Sequence, residues 1–195
     1  MKRDNAEPEE ILSFWIDQTG PVGWYSRNDD LDSKIRDRWA ALWDDVRKQG
    51  WPGWTPTARS VLAYVILTDQ FPRNMFRNDA RAFATDDRAR AAAKSAIERN
   101  WDLQIDGDAR QFFYLPLIHS ECLVDQERAV RLFKLRMPGA RDNLVHARAH
   151  REVIRKFGRF PHRNADLGRK TTGSETDFLS SGGYGSVVDS LKTSA

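Results

Sequence analysis

Residues 55–74, T-P-T-A-R-S-V-L-A-Y-V-I-L-T-D-Q-F-P-R-N, decide the fold, because they form the one stretch that is apolar on every side. It reads as a buried central helix, with Thr55 as N-cap and Pro56 at the first helical position. Val61, Leu62, Tyr64, Val65, Ile66 and Leu67 leave no face for water. Phe71-Pro72 is expected to stop it, since proline has no N–H to give the preceding turn. The end is polar: Asp69 and Gln70 close the helix, and Arg73 and Asn74 follow at once. A similar ending, Gly158-Arg159-Phe160-Pro161-His162-Arg163-Asn164, recurs late in the chain, and together the two predict one polar site fed from two helices.

Working outward, Glu7-Pro8-Glu9-Glu10 opens a first helix expected to stop near Gly20-Pro21. Asp29 to Gln49 carries Leu31, Ile35, Trp39, Leu42 and Val46 at helical spacing and ends at Gly50. Thr85-Asp86-Asp87 begins an alanine-rich helix whose Ala89, Ala92, Ala93 and Ala96 let a neighbour approach closely. Asp106-Gly107-Asp108 reads as a turn, and Pro116 predicts a break before His119. Ser120-Glu121 reads as the cap of a helix to Arg136, and Asp142 to Phe157 forms the next, with His146 and His150 turned inward. Thr172-Gly173-Ser174-Glu175 is a capping box for a short helix to Leu179. No alternating strand pattern appears. The expectation is an all-α array of seven or eight helices in antiparallel pairs, one domain over residues 1–179, and a Gly/Ser-rich flexible tail over 180–195.

With 40% hydrophobic and 30% charged residues among 195, the chain can bury a sizeable core, much of it aromatic given 7 Trp and 10 Phe. Cys122, the only cysteine, excludes an intrachain disulfide and Cys-rich zinc sites and fits a reducing cytosol. The first ten residues have no apolar leader segment, and no run approaches the roughly 18 apolar residues of a membrane span, so a cytoplasmic location is expected. Net charge is +3, but residues 1–127 carry −5, residues 128–170 carry +10 and the remainder −2. Such a basic block attracts phosphates, nucleic acid or an acidic partner, or compensates acids of its own fold; compensation is the default.

No H-E-x-x-H, G-x-S-x-G or phosphate-loop signature is present. What remains is a constellation: Asp69, Gln70, Arg73, Asn74; His119, Glu121, Asp125, Gln126; His146, His150; and Arg159, His162, Arg163, Asn164. Buried ionisable groups are costly unless paired, so these residues imply a shared polar cavity or an internal network. His146 and His150 have metal-ligand spacing, but spacing fixes no third or fourth ligand, and neither a metal nor a cofactor is assigned.

The strings D-Q-F-P-R-N (69–74), A-F-A-T-D (82–86), F-F-Y-L-P-L-I-H-S-E (112–121), D-Q-E-R-A-V (125–130) and F-G-R-F-P-H-R-N (157–164) resemble the bacterial family called domain of unknown function 924. The likeness runs to Leu179. It implies a helical fold similar to tetratricopeptide-like hairpins, with the constellation apart from His146 and His150, twelve residues, as the family's polar positions, and it brings no activity across. Cys122 departs from the acidic residue more usual after H-S-E, which weakens a metal role.

The expected function is binding of a small anionic molecule, with Arg73, Arg159 and Arg163 as anion contacts and Gln70, Asn74, Asp125, Gln126 and Asn164 as further ligand contacts. Were it an enzyme, His119 or His162 would be the general acid/base, oriented by Glu121 or Asp69. The alternatives are a tetratricopeptide-like module for a protein partner, with a purely structural polar network, and RNA binding through residues 128–170. No membrane role is expected, and the lack of a reading motif disfavours nucleic acid.

Overall fold

The structure is a computed structural model that describes residues 6–193; the expected leaderless N-terminus (1–5) and the last two residues of the expected tail lie outside them. The described residues contain eleven α-helical segments and no strand: α1 Ala6–Leu12, α2 Gly20–Trp24, α3 Asp29–Gln49, α4 Ala58–Val65, α5 Phe71–Met75, α6 Asp86–Glu98, α7 Leu115–Ile118, α8 Leu123–Arg136, α9 Arg141–Phe157, α10 Gly173–Ser180 and α11 Gly183–Thr193. The class is all-α. The count exceeds seven or eight chiefly because two helical runs pass through prolines expected to stop them.

Both passages use a π turn. Ser13–Thr19 joins α1 to α2, and Ile66–Gln70 joins α4 to α5. Gly20 N–H donates to Trp15 O, and Phe71 N–H donates to Ile66 O, each five residues back. The widened turn is complete one residue before Pro21 or Pro72, so the proline enters as the start of a new helical segment. Pro72 still deprives the Thr68 carbonyl of its usual donor. Thr85 Oγ1 supplies one at 2.6 Å, while accepting Trp43 Nε1–H at 3.0 Å. The central helix therefore runs on to Met75, where sequence predicted a stop at Phe71-Pro72. Its start also moves: Thr57, not Thr55, is the N-cap, in a reciprocal box with Ser60.

The chain divides into two compact units, Met1–Pro116 and Leu117–Ala195. In the first, Phe71 meets Phe14, Trp15 and Trp39 at ring-centroid distances of 6.3, 5.5 and 4.8 Å, and Phe112 meets Trp24 at 4.8 Å. Gly50 (φ 90°) ends α3, as read, and Asn28 caps its start. Ala89, Ala93 and Ala96 of α6 are buried, and α6 lies against α4.

In the second unit α8 and α9 pack together across a short turn, burying Ala129, Leu132 and Phe133 against a helix that buries Ala147, Ala149, Val153 and Ile154. Ser120 is not the α8 cap. Cys122 takes that position without a side-chain bond, and the Ser120 hydroxyl is drawn to Asp125 Oδ2 at 2.9 Å. The capping box Thr172/Glu175 starts α10. The expected flexible tail is corrected: α11 occupies Gly183–Thr193, with Val188 buried, and Tyr184 and Val187 pack on Val153, Ile154 and Phe160. No described helix is long and apolar enough to cross a membrane.

Candidate functional site

The predicted polar residues fall in both units. Asp69, Gln70, Arg73 and Asn74 belong to the first, where the π turn and α5 set them inward. Asp69 is fully buried, and Arg73 donates to its carbonyl at 2.6 Å. Arg73 also grips Asp86 with two bonds, 2.9 and 3.0 Å. Burial pushes the Arg73 guanidinium toward neutrality, but Asp69 and Asp86 more than offset it and hold its pKa above the ordinary value. Gln70 Nε2 donates to Asp69 Oδ2 at 2.5 Å, and Arg77 bonds Asn74 Oδ1 while pairing with Asp32. Arg73 thus ties α5 to the start of α6, a structural duty in a residue expected to contact an anion.

The other eight of the twelve residues expected to contact or act on a ligand lie in the second unit, as do His146 and His150. Glu121, just before α8, accepts the Phe160 backbone N–H at 2.8 Å and two bonds from Arg169 at 2.8 and 3.0 Å. Burial raises its pKa, but the Arg169 and Phe160 donors prevail and it lies below the ordinary carboxylate value. Glu121 thus anchors the Phe160–Asn164 turn. Arg159 is held by Glu175 at 2.6 and 2.8 Å, and that bond, with those from Thr172, lowers the Glu175 pKa. Buried Gln126 donates to the Ile118 and Ser120 carbonyls at 2.8 and 2.7 Å, fixing the segment that bears His119. Asp125 holds Ser120, and Asn164 reaches Thr171 Oγ1 at 3.3 Å.

All four histidines of the sequence lie in this unit, and they converge. The His150 ring stands 5.5 Å from Phe160, and His162 stands 5.6 Å from the same ring. The Arg163 guanidinium lies 4.6 Å from its centroid, and His119 is 6.3 Å from His150. Phe160 and Arg163 are buried, His119 and His150 are half-buried, and His162 is exposed. Tyr184 of α11 stacks beside His146 and sits 4.6 Å from His150, with its hydroxyl 2.6 Å from His146 Nδ1.

Protonation states follow from this packing. Burial, with the nearby charges of His119, Arg163 and His162, pushes His150 down to about 3, and its bond to the His146 carbonyl only partly opposes this. Burial and Lys192 lower His146, against a smaller pull from Asp142. Burial raises the Tyr184 pKa, so its hydroxyl keeps its proton. No group of three or more His, Cys, Asp or Glu among the described residues is arranged to hold a metal ion.

Sequence placed His146 and His150 inward but gave them no role, and it overlooked Arg169, Glu175 and Tyr184. Arg169 and Glu175 carried no motif signal beyond the capping box. Tyr184 lay in a Gly/Ser-rich stretch.

The sequence profile of a family described as bacterial protein of unknown function (DUF924) matches residues 11–183. A solved structure of a protein of unknown function from Agrobacterium tumefaciens is similar, with 40% identity and a TM-score of 0.83, over 89% of this chain and 97% of that one. No curated protein matches.

Proposed function

Since the chain belongs to that bacterial family of unknown function, we propose from its geometry a small-anion-binding protein whose site is the imidazole cluster around Phe160. One observation carries this reading. His150 from α9, and His162 and Arg163 from the turn after it, meet on one aromatic ring, and His119 from the end of α7 abuts His150. Arg163 contributes a permanent charge. The neighbouring carboxylate, Glu121, pairs with Arg169 and also feels the Arg163 charge. An oxyanion entering at exposed His162 meets positive potential and imidazole donors on a partly desolvated surface. If the ligand is transformed, His162 and His119 are the groups placed to move its proton. A cytosolic setting belongs to the same reading and is supported by the lone, exposed Cys122.

The test is titration with inorganic phosphate and with succinate, following the four histidine C2–H signals by proton NMR. Saturable shifts of His119, His150 and His162, lost in His162→Ala with the other signals dispersed, support the site. Unchanged signals overturn it.

A second reading, a tetratricopeptide-like module for a protein partner, draws on a separate groove of about 780 Å³ between α9, α10 and α11, with Val153, Phe157, Phe178, Val187 and Leu191 in its walls. Phe178→Asp would abolish partner capture without touching anion binding. RNA binding finds less support. Within the basic block, Arg151 and Arg155 pair with Glu127 and Glu152, Arg159 with Glu175 and Arg169 with Glu121, the internal compensation expected as the default.

A further inference from the structure

The His150 ring has a fixed tautomer. Its Nδ1 lies 2.9 Å from the His146 carbonyl oxygen, which can only accept, so the ring proton is on Nδ1. Nε2 is then the ring's acceptor nitrogen, a lone pair. The His146 carbonyl is locked by its helix, and Tyr184 packs on the ring at 4.6 Å, so the orientation is held from two sides. Phe160, 5.5 Å away, is also the ring over which Arg163 lies.

The cluster therefore presents two unlike features: positive charge from Arg163 and an uncharged acceptor that can only receive a hydrogen bond. A bare oxyanion offers nothing to that acceptor, and two lone pairs facing each other repel. We infer that the ligand is an oxyanion carrying a neighbouring hydroxyl, a hydroxycarboxylate or the phosphate ester of a polyol, whose O–H donates to His150 Nε2 while its anionic group faces Arg163 and His162. The inference rests on the anion-binding reading above and adds what that reading lacks, a basis for choosing among anions. A site built around an acceptor discriminates strongly, because a ligand without the donor leaves the lone pair unmatched.

The experiment is calorimetric titration of the full chain with two matched pairs, malate against succinate and glycerol 3-phosphate against propyl phosphate. The hydroxylated member of at least one pair is expected to bind about tenfold more tightly, one hydrogen bond's worth of discrimination. The pair that shows the preference identifies the anionic group. His150→Phe, which keeps a ring but removes the acceptor, should bring the pair within about twofold while both still bind. His150→Gln, which restores an acceptor oxygen, should recover part of the preference. In the wild type the His150 Nε2 nitrogen resonance should move farther with malate or glycerol 3-phosphate than with their partners, a readout that survives if either variant fails to fold. Equal binding within both pairs, or a preference retained by folded His150→Phe, overturns the inference and leaves the anion site standing. Binding of none of the four removes both.

Discussion

Acid should weaken the second unit through His150, by an amount the packing fixes. The folded pKa, about 3, lies below the ordinary 6.5, so between those values the unfolded chain holds a proton that the folded one refuses. Stability from this group is therefore complete above pH 6.5 and is lost as pH falls toward 3. At about 1.36 kcal/mol per pH unit, moving from pH 7 to pH 4.5 removes about 2.5 kcal/mol, and partial solvent access brings the expectation to about 2 kcal/mol. Carboxylate effects are removed by comparison with His150→Phe, which shares them. The probe must be chosen with care, because all 7 tryptophans lie at or before Trp101 and report only the first unit. Urea unfolding at both pH values, followed through the histidine C2–H signals, gives the double difference. Equal acid losses in wild type and variant, or a folded His150 signal titrating near its ordinary value, would refute the argument.

Other expectations concern the scaffold. Thr85→Val should cost about 2 kcal/mol in a melt followed by tryptophan fluorescence, since it orphans both the Thr68 carbonyl and the Trp43 N–H in a buried setting. Arg73→Ala should destabilise the first unit by about 3 kcal/mol, by taking the guanidinium away from buried Asp69 and half-buried Asp86, and should leave phosphate and succinate affinity unchanged in calorimetry. Arg169→Ala should cost the second unit about 1–2 kcal/mol in urea unfolding and loosen the Phe160 turn, with the double variant Arg169→Ala/Glu121→Gln recovering part of the loss.

The elements that sequence placed well are those whose signals are local. Gly50 ends α3, the alanines mark the close face of α6, and Thr172 with Glu175 starts α10, each within a few residues of its cause. The misplacements have physical reasons too. Proline rules assume bonds four residues back, so a turn bonded five back at Ile66–Gln70 escapes them. The division between Pro116 and Leu117 falls inside a dense apolar run, with no linker composition to mark it. Tyr184, Val187, Val188 and Leu191 follow helical spacing, but glycine and serine around them dilute the pattern that α11 obeys. The polar endings at 69–74 and 158–164 were legible because charged groups beside an apolar run are conspicuous in a sequence. What each one holds was not legible, because Arg73 with Asp86 and Glu121 with Arg169 are matches made by the fold.

The π turn at Ile66–Gln70 also acts as a phase shifter. One surplus residue in an α-helix rotates everything beyond it by about 100° relative to everything before. Arg73, Asn74 and Met75 therefore point where they do because of the wide turn upstream. Deleting a single residue from that turn would restore regular winding and leave the composition almost untouched. It would nevertheless turn Arg73 away from Asp86 and strand it on another face of the helix, so the first unit's polar interior is set as much by counting as by chemistry.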